Sequence, residues 1–443
     1  MNKHIVVIGG GFAGINLAQH LAGKAGFVVT IVDQHNYNSF QPLLYQVATG
    51  FLETSNITYP FRKLFQDQSN IRFRMGTLEE VVPAENKVIL SSGELSYDYL
   101  VMATGTETNF FGNENIKRCS LPMKTVNDAV KMRNYLLQKL EEATIETDPV
   151  AKKKRTTVVI AGGGPTGVEI AGMLAEMRKN IIRKDYPELS GSSGAIYLVD
   201  GGPKVLAPMS EKSQQYTHDK LVEMGVEVKL NKLVKDYIND TVIFTDGETI
   251  TTKILIWAAG VTALVFEGIP RECYGRGRRL LVDEYNKVKG LSNVYALGDT
   301  CLQTTDKAFP EGHPQVAQVA IQQGKNLAKN LLALQQNGQQ KPFTYNDKGS
   351  MAIIGRNKAV VDLPSKAHFK GFLAWFMWLF IHLVSLINAR NRFKTLYNWM
   401  VAYFTKDQSL RLIIRPYGNG EEKAEVDTPR KEAAPAPAVL AGK

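Results

Sequence analysis

Six glycines, in two groups of three, have the spacing that cradles a pyrophosphate. The run VVIGGGFAG (Val6 to Gly14) ends in Gly9-x-Gly11-x-x-Gly14, and VVIAGGGPTGVE (Val158 to Glu169) contains Gly162-x-Gly164-x-x-Gly167. In such a triplet the first glycine makes the tight turn off a strand. The second lets backbone N–H groups approach the phosphates, and the third lets the following helix pack close to the strand. The phosphates then meet the positive end of the helix dipole. Each triplet is followed by an acid at the end of the next β-branched run: Asp33 closes FVVTIVD (Phe27 to Asp33) and Asp200 closes AIYLVD (Ala195 to Asp200). A carboxylate there hydrogen-bonds a ribose hydroxyl. At Asp200 it suits a free 2′-hydroxyl and repels a 2′-phosphate, which favours NADH over NADPH; the nearby Lys204 weakens that preference slightly. A lone triplet can be a mere glycine-rich turn. Two, each with strand, helix and acid, predict two adenine dinucleotides held side by side.

Other residues could complete such a site. A buried strand, Tyr99 to Met102, runs into the small-residue turn Ala103-Thr104-Gly105, where backbone and cofactor can approach closely. ILIWAAGV (Ile254 to Val261), with Gly260, is its counterpart in the second half, and VYALGDT (Val294 to Thr300) ends in Gly298-Asp299 before a new helix. Beyond it Gln315, Gln318 and Gln322 recur three and four apart, with Ala317, Ala320 and Ile321 between. Amides on one helical face can line a site or face water. Gln46 lies in HNYNSFQPLLYQVATG (His35 to Gly50), an aromatic, amide-rich stretch without clear periodicity that reads as a packed loop.

These residues need an α/β framework with two Rossmann-like dinucleotide-binding domains. Residues 3–33 and about 156–200 read as β–α–β units, residues 124–147 as a helix, and Lys152 to Arg155 as a solvated basic connector. The expected boundaries are 1–115 with 290–345 for the first domain, to which the chain returns, and 150–275 for the second. The chain has 443 residues, 44% of them hydrophobic, enough for two or three domains with well-formed cores. Its net charge of +10 comes with no basic helix or aromatic-basic sheet motif, which argues against nucleic acid and for an anionic membrane surface. Cys119, Cys273 and Cys301 are far apart with no CxxC, so neither a disulfide framework nor a bound metal is expected, and the compartment reads as reducing. The chain begins almost directly with a strand, so the expectation is no signal or transit peptide and a cytoplasmic location.

The last part of the chain, residues 350–415, changes character. GFLAWFMWLFIHLVSLI (Gly371 to Ile387) is apolar almost all round, includes His382 and Ser385, and at 17 residues falls short of the ~20 that a spanning helix needs. Residues 390–406 then place Phe393, Leu396, Tyr397, Met400 and Phe404 on one helical face. Lys366, Lys370, Arg390, Arg392, Lys394, Lys406, Arg411 and Arg415 surround the two segments. That combination predicts an amphipathic helical anchor lying in the membrane interface. Burying half a dozen large side chains at ~1.5–3 kcal/mol each gives on the order of ten kcal/mol. Each nearby cation adds about 1 kcal/mol on an anionic leaflet. A core helix or a homodimer interface would also be apolar all round, and that alternative stays open. The tail, residues 417–443, reads as disordered.

Together these residues resemble the type II NADH:quinone oxidoreductases, single-subunit, non-pumping respiratory dehydrogenases. The likeness covers roughly residues 3–415 and rests on GGGFAG, PLLYQVATG (Pro42 to Gly50), GGGPTGVE, ALGDT, the AQxAxQ pattern at Ala317 to Gln322, and the aromatic anchor. It implies a noncovalent FAD in the first fold, NADH as hydride donor in the second, and a membrane quinone as acceptor. By match to the family motifs, Asp299 would meet the ribityl and pyrophosphate end of FAD. Glu169 would lie beside the nicotinamide–flavin contact, and Gln318 near the quinone head, with Gln322 and Gln46 as further quinone candidates. The likeness places the protein peripherally on the cytoplasmic face of the cell inner membrane. Two departures stand out: Phe372 to Phe380 lacks the lysine some members carry by the quinone opening, and the second ribose acid is Asp200 where glutamate is more common. The rivals are a sulfide:quinone oxidoreductase, which needs paired cysteines at the flavin, and an NADH-binding flavoprotein with a signalling or structural role.

Overall fold

The structure is a computed structural model that describes residues 2–190, 194–407 and 410–414; the tail expected to be disordered and Arg415 lie outside the described residues. Two parallel five-stranded sheets form the body. In the first, the strand order is Val294–Ala296, Tyr99–Met102, Lys3–Ile8, Phe27–Asp33, Ile71–Met75. The strand at 294–296 pairs with 99–102 although the whole second sheet intervenes in sequence. The helix that follows it, Ala317–Gln335, crosses the fingerprint helix Phe12–Leu21 at Gly324, where an added Cβ would lie 2.5 Å from the Ala13 carbonyl oxygen. Only a residue without a side chain lets the two backbones approach this closely.

The second sheet runs Leu121–Pro122, Ile254–Trp257, Val158–Ala161, Ile196–Val199, Val226–Lys229, again parallel throughout. The central strand, VVIA, is buried along its whole length, as expected for a parallel sheet covered on both faces. A long helix, Val126–Thr144, follows the edge strand Leu121–Pro122 of this sheet and starts with a reciprocal capping box between Thr125 and Asp128.

Lys152 to Arg155 are not a solvated connector. They form the later turns of a helix, Pro149–Thr156, whose N-cap Asp148 accepts from the N–H groups of Val150 and Ala151. Arg155 binds Glu142 and Glu146, and Lys154 binds Asp240, so the charges staple this helix to its neighbours. The loop expected over 35–50 is also revised. It holds a short strand, Tyr37–Ser39, and a one-turn helix, Leu44–Ala48, whose five side chains are all buried. One turn is too short to display the 3.6-residue period, which is why the pattern hid it.

After the return to the first sheet, an antiparallel sheet (Ser350–Gly355, Lys358–Asp362, His368–Lys370) leads into two helices, Gly371–Ser385 and Ala389–Thr405. Neither is enclosed. On the first, Ala374 and Trp378 are fully buried, while Phe372, Phe376 and Phe380 are more than half exposed. On the second, Asn391, Thr395 and Trp399 face inward, and Phe393, Tyr397, Met400 and Phe404 face out. Trp378 and Trp399 join the same core cluster as Leu44, Tyr45 and Val168, so the terminal helices are built into the body. No helix among the described residues is long and apolar enough to cross a membrane.

Candidate functional site between two cavities

The glycines divide their labour as the spacing predicts. Gly9 has φ +106°, and a Cβ there would sit 2.3 Å from the Ala103 carbonyl oxygen; Gly162 has φ +114° with its counterpart 2.4 Å from Ala258 O. The third glycines are packing points, since a Cβ on Gly14 or Gly167 would fall within 2.0 Å of the carbonyl oxygen of Gly9 or Gly162. A Cβ added to Gly11 or Gly164 would meet no protein atom within 4 Å beyond its own chain neighbours. The middle glycine of each triplet therefore opens onto space where a ligand backbone could lie.

The acids tie each turn to its strand. Asp33 accepts from Gly10 N at 2.7 Å and from His35 N at 2.8 Å; Asp200 accepts from Gly163 N and Gly202 N, both at 2.6 Å. Burial raises the Asp33 pKa against the pull of those two N–H groups.

A cavity of about 460 Å³ runs from Gly11 and Asp33 past Ala103, Thr104 and Gly105 to Asp299. The second fold contributes too: Thr166 and Glu169, on the second fingerprint helix Pro165–Met177, line the cavity, and so does Tyr45 of the first fold. Thr300 Oγ1 accepts from Gly105 N at 2.8 Å and lies 3.1 Å from Thr104 Oγ1, so it joins the two small turns that floor the cavity. Lys124, which the sequence reading missed, also lines it and donates to Thr106 Oγ1 at 2.7 Å. Its detectable signal was the Thr125-x-x-Asp128 capping pattern, which puts Lys124 at a helix entrance. Burial lowers the Lys124 pKa, with Asp299 opposing; burial raises that of Asp299, with Lys124 and Arg279 opposing.

Glu169 is only 9% exposed, and desolvation lifts its pKa well above the ordinary carboxylate range, with a backbone hydrogen bond from Ile353 opposing. Burial thus favours the protonated form of this carboxyl group. Gly260 (φ +157°) backs onto the Phe111 ring, and its neighbour Val261 reaches the cavity.

A second cavity, of about 520 Å³, lies against the terminal helices. Phe376, Phe380, Leu396, Met400 and Phe404 line it, with Gln46, Glu176 and Arg356 among its few polar residues. The wall between the cavities is Tyr45–Gln46: Tyr45 lines the first and Gln46 the second. Gln46 Nε2 donates to the Tyr45 hydroxyl at 2.9 Å, and Gln46 Oε1 accepts from Trp399 Nε1 at 2.8 Å.

The other glutamines separate. The helix begins at Ala317, so Gln315 precedes it, lines the first cavity and donates to the Asp299 carbonyl at 3.2 Å. Gln318 is half-buried and lines neither cavity. Gln322 lines neither cavity; its amide donates to Asn346 O and accepts from Asn346 N, fastening the segment after the helix to it. All three cysteines are free; burial pushes the Cys301 thiol up to about 11, and Gln323 and Asn286 hold it. That is the setting of an inert thiol.

Comparisons with known proteins agree with this layout. Residues 3–324 match the pyridine nucleotide-disulphide oxidoreductase family, and residues 348–406 match the NDH2 C-terminal domain. A type II NADH:quinone oxidoreductase of Mycobacterium tuberculosis is 34% identical over 417 residues, covering 90% of this chain and 87% of its own. A second from the same organism is 32% identical, covering 90% and 88%. In fold the chain is similar to NDH2 of Plasmodium falciparum in complex with NADH, with TM-score 0.85 and 21% identity, covering 94% of this chain and 100% of that one. The sulfide:quinone oxidoreductase of Aquifex aeolicus is more distant, at TM-score 0.70 and 22% identity, covering 88% and 92%. With both its two-dinucleotide body and its C-terminal domain matched, this chain belongs to the type II NADH:quinone oxidoreductase family.

Proposed function

We propose that the protein passes two electrons from NADH, through a noncovalently bound FAD, to a quinone that arrives from membrane lipid. The observation that carries the reading is the shared wall. The cavity of the first fold ends against Glu169 of the second fold and is separated from the apolar cavity of the terminal helices by Tyr45 and Gln46. One site thus borders both a place for NADH and a place for a lipid-soluble acceptor.

The residues fit a flavin dinucleotide. Gly11 leaves the pyrophosphate room, Asp33 ends the strand where a ribose would lie, and Ala103, Thr104, Gly105 and Asp299 line the remainder of the groove. FAD, when bound, supplies acceptance of hydride and release of electrons to a quinone. The protein's part is to orient and to manage protons. Gly162 and Gly167 shape the second turn, Gly164 opens it to the NADH pyrophosphate, and Asp200 meets the ribose, with Gly260 on the opposite turn. Glu169, whose burial favours the protonated carboxyl, lies beside the contact between the two folds. The hydride carries one proton's worth of hydrogen, so quinol formation needs a second proton from the medium; Glu169 is placed to relay it. Gln46 faces the acceptor, and Gln318, on the helix whose Ala317 and Ala320 line the first cavity, is the further candidate near it.

The exposed apolar faces of the terminal helices are assigned to lipid in preference to a second chain, because exposed Lys370, Arg390, Arg392 and Lys406 flank them. Cations beside an apolar face match an anionic leaflet and would repel their own copies. The protein then sits peripherally on the cytoplasmic face of the cell inner membrane. Anaerobic spectroscopy of the purified protein tests the reading. The expected result is a yellow protein whose flavin is bleached by NADH and restored by a soluble quinone. A colourless protein, or one bleached by sulfide and inert to NADH, would overturn it.

A further inference from the structure

The polar groups in the wall form a chain whose direction is set at its far end. Trp399 is 6% exposed, on the inward face of the helix Ala389–Thr405, and among the described residues its indole Nε1 donates to Gln46 Oε1. An indole nitrogen donates and cannot accept. That bond therefore obliges the Gln46 amide to turn its Nε2 toward Tyr45, whose hydroxyl accepts from it. A hydroxyl that accepts from Gln46 must give its own hydrogen to something else. Tyr45 lines the dinucleotide cavity together with Glu169.

The link joins distant parts of the chain, 353 positions apart in sequence. It is also braced: Asn391, two turns earlier on the same helix, donates to Thr58 O at 2.9 Å, and Trp399 packs against Trp378 with ring centroids 6.0 Å apart. The helix whose outer face presents Tyr397 and Met400 thus holds the inner wall of the site in register.

We propose that Trp399 is a positioning residue for quinone reduction: by fixing the orientation of the Gln46 amide, it directs the Tyr45 hydroxyl hydrogen into the dinucleotide cavity, from which the acceptor is reduced. This rests on the functional reading above, in which the quinone enters along the terminal helices. Without the indole donor the amide can occupy both orientations, and Tyr45 loses its single direction. A net hydrogen bond corresponds to roughly a tenfold preference between the two.

The test separates the two half-reactions. Full-length protein with bound flavin is placed on phosphatidylethanolamine/phosphatidylglycerol vesicles and followed anaerobically by stopped flow. For Trp399→Phe, flavin reduction by NADH and vesicle co-sedimentation should match the wild type. Reoxidation by decylubiquinone should slow about twofold in its maximal rate, as the productive orientation falls from about nine-tenths of the molecules to about half, with little change in half-saturation. Ultraviolet resonance Raman should show the loss of one hydrogen-bonded indole. Tyr45→Phe should slow the same half-reaction, and adding Trp399→Phe to it should cost nothing more, because the indole acts only through that hydroxyl. Additive losses in the double variant, or wild-type reoxidation by Trp399→Phe, would overturn the proposal. So would parallel loss of vesicle binding or of reduction by NADH, which would mark Trp399 as merely structural. A wild-type protein that NADH reduces but decylubiquinone cannot reoxidise would overturn the functional reading, and the inference with it.

Discussion

At Gly164 an added side chain meets only open space, whereas at Gly167 it meets the Gly162 carbonyl oxygen at 1.8 Å. The same substitution at two members of one triplet should therefore fail in different ways. Gly164→Val should fold, keep its FAD and lose reduction by NADH, read as a yellow protein that NADH no longer bleaches. Loss of the flavin instead would show that the two folds are assigned backwards. Gly167→Val should destabilise the whole domain by several kcal/mol, because backbone cannot retreat as a flexible side chain can; thermal denaturation of the two variants, side by side, checks this. Both glycine roles were legible in the spacing. The roles of Lys124 and Trp399 were not, because one depends on a turn meeting Asp299 and the other on a helix reaching Gln46 across the fold.

At the scale of elements, the helix Gly371–Ser385 carries a titratable group into the core. The His382 ring stacks on Trp378 at 3.8 Å between centroids and meets Phe40 edge-on, and burial lowers its pKa to about 4. A histidine held neutral in the fold but free to charge when unfolded contributes stability that is complete above pH ~6.5. It is lost as pH falls from there toward 4. At pH 5 the loss should approach about 2 kcal/mol. Denaturant melts at pH 7.5 and 5 should show it, and His382→Phe should flatten that part of the pH dependence. Equal slopes in the two proteins would refute the account. The one-turn helix Leu44–Ala48 teaches a related lesson: its sequence resembles a loop until the core around it is known.

At the scale of the molecule, the outward faces of both terminal helices should govern attachment, separately from the chemistry. Leu373, Phe393 and Tyr397 are 54%, 74% and 68% exposed and lie outside the cavity lining. Replacing all three with Ser should weaken binding to anionic vesicles by about tenfold per side chain. Reduction by NADH should stay intact. Raising salt should weaken wild-type binding further, since the flanking cations act through screened charge. A triple variant that co-sediments as well as the wild type would refute the lipid-facing assignment. Cutting the chain before Phe372 is a poorer test, because it also removes Trp378 from the core it shares with Tyr45.

The local order of the chain determined the dinucleotide turns, their acids, the amphipathic end and the family likeness, because each depends on residues within one or two elements, where spacing alone fixes geometry. It did not determine which amide faces the acceptor. Gln318 and Gln322 share a helix and a motif with no difference visible in sequence, yet Gln322 fastens to Asn346 while Gln46, far away, sits between the cavities. That choice belongs to the tertiary structure, since a hydrogen-bond partner is set by which elements pack together, and packing brings together residues that spacing along the chain cannot relate.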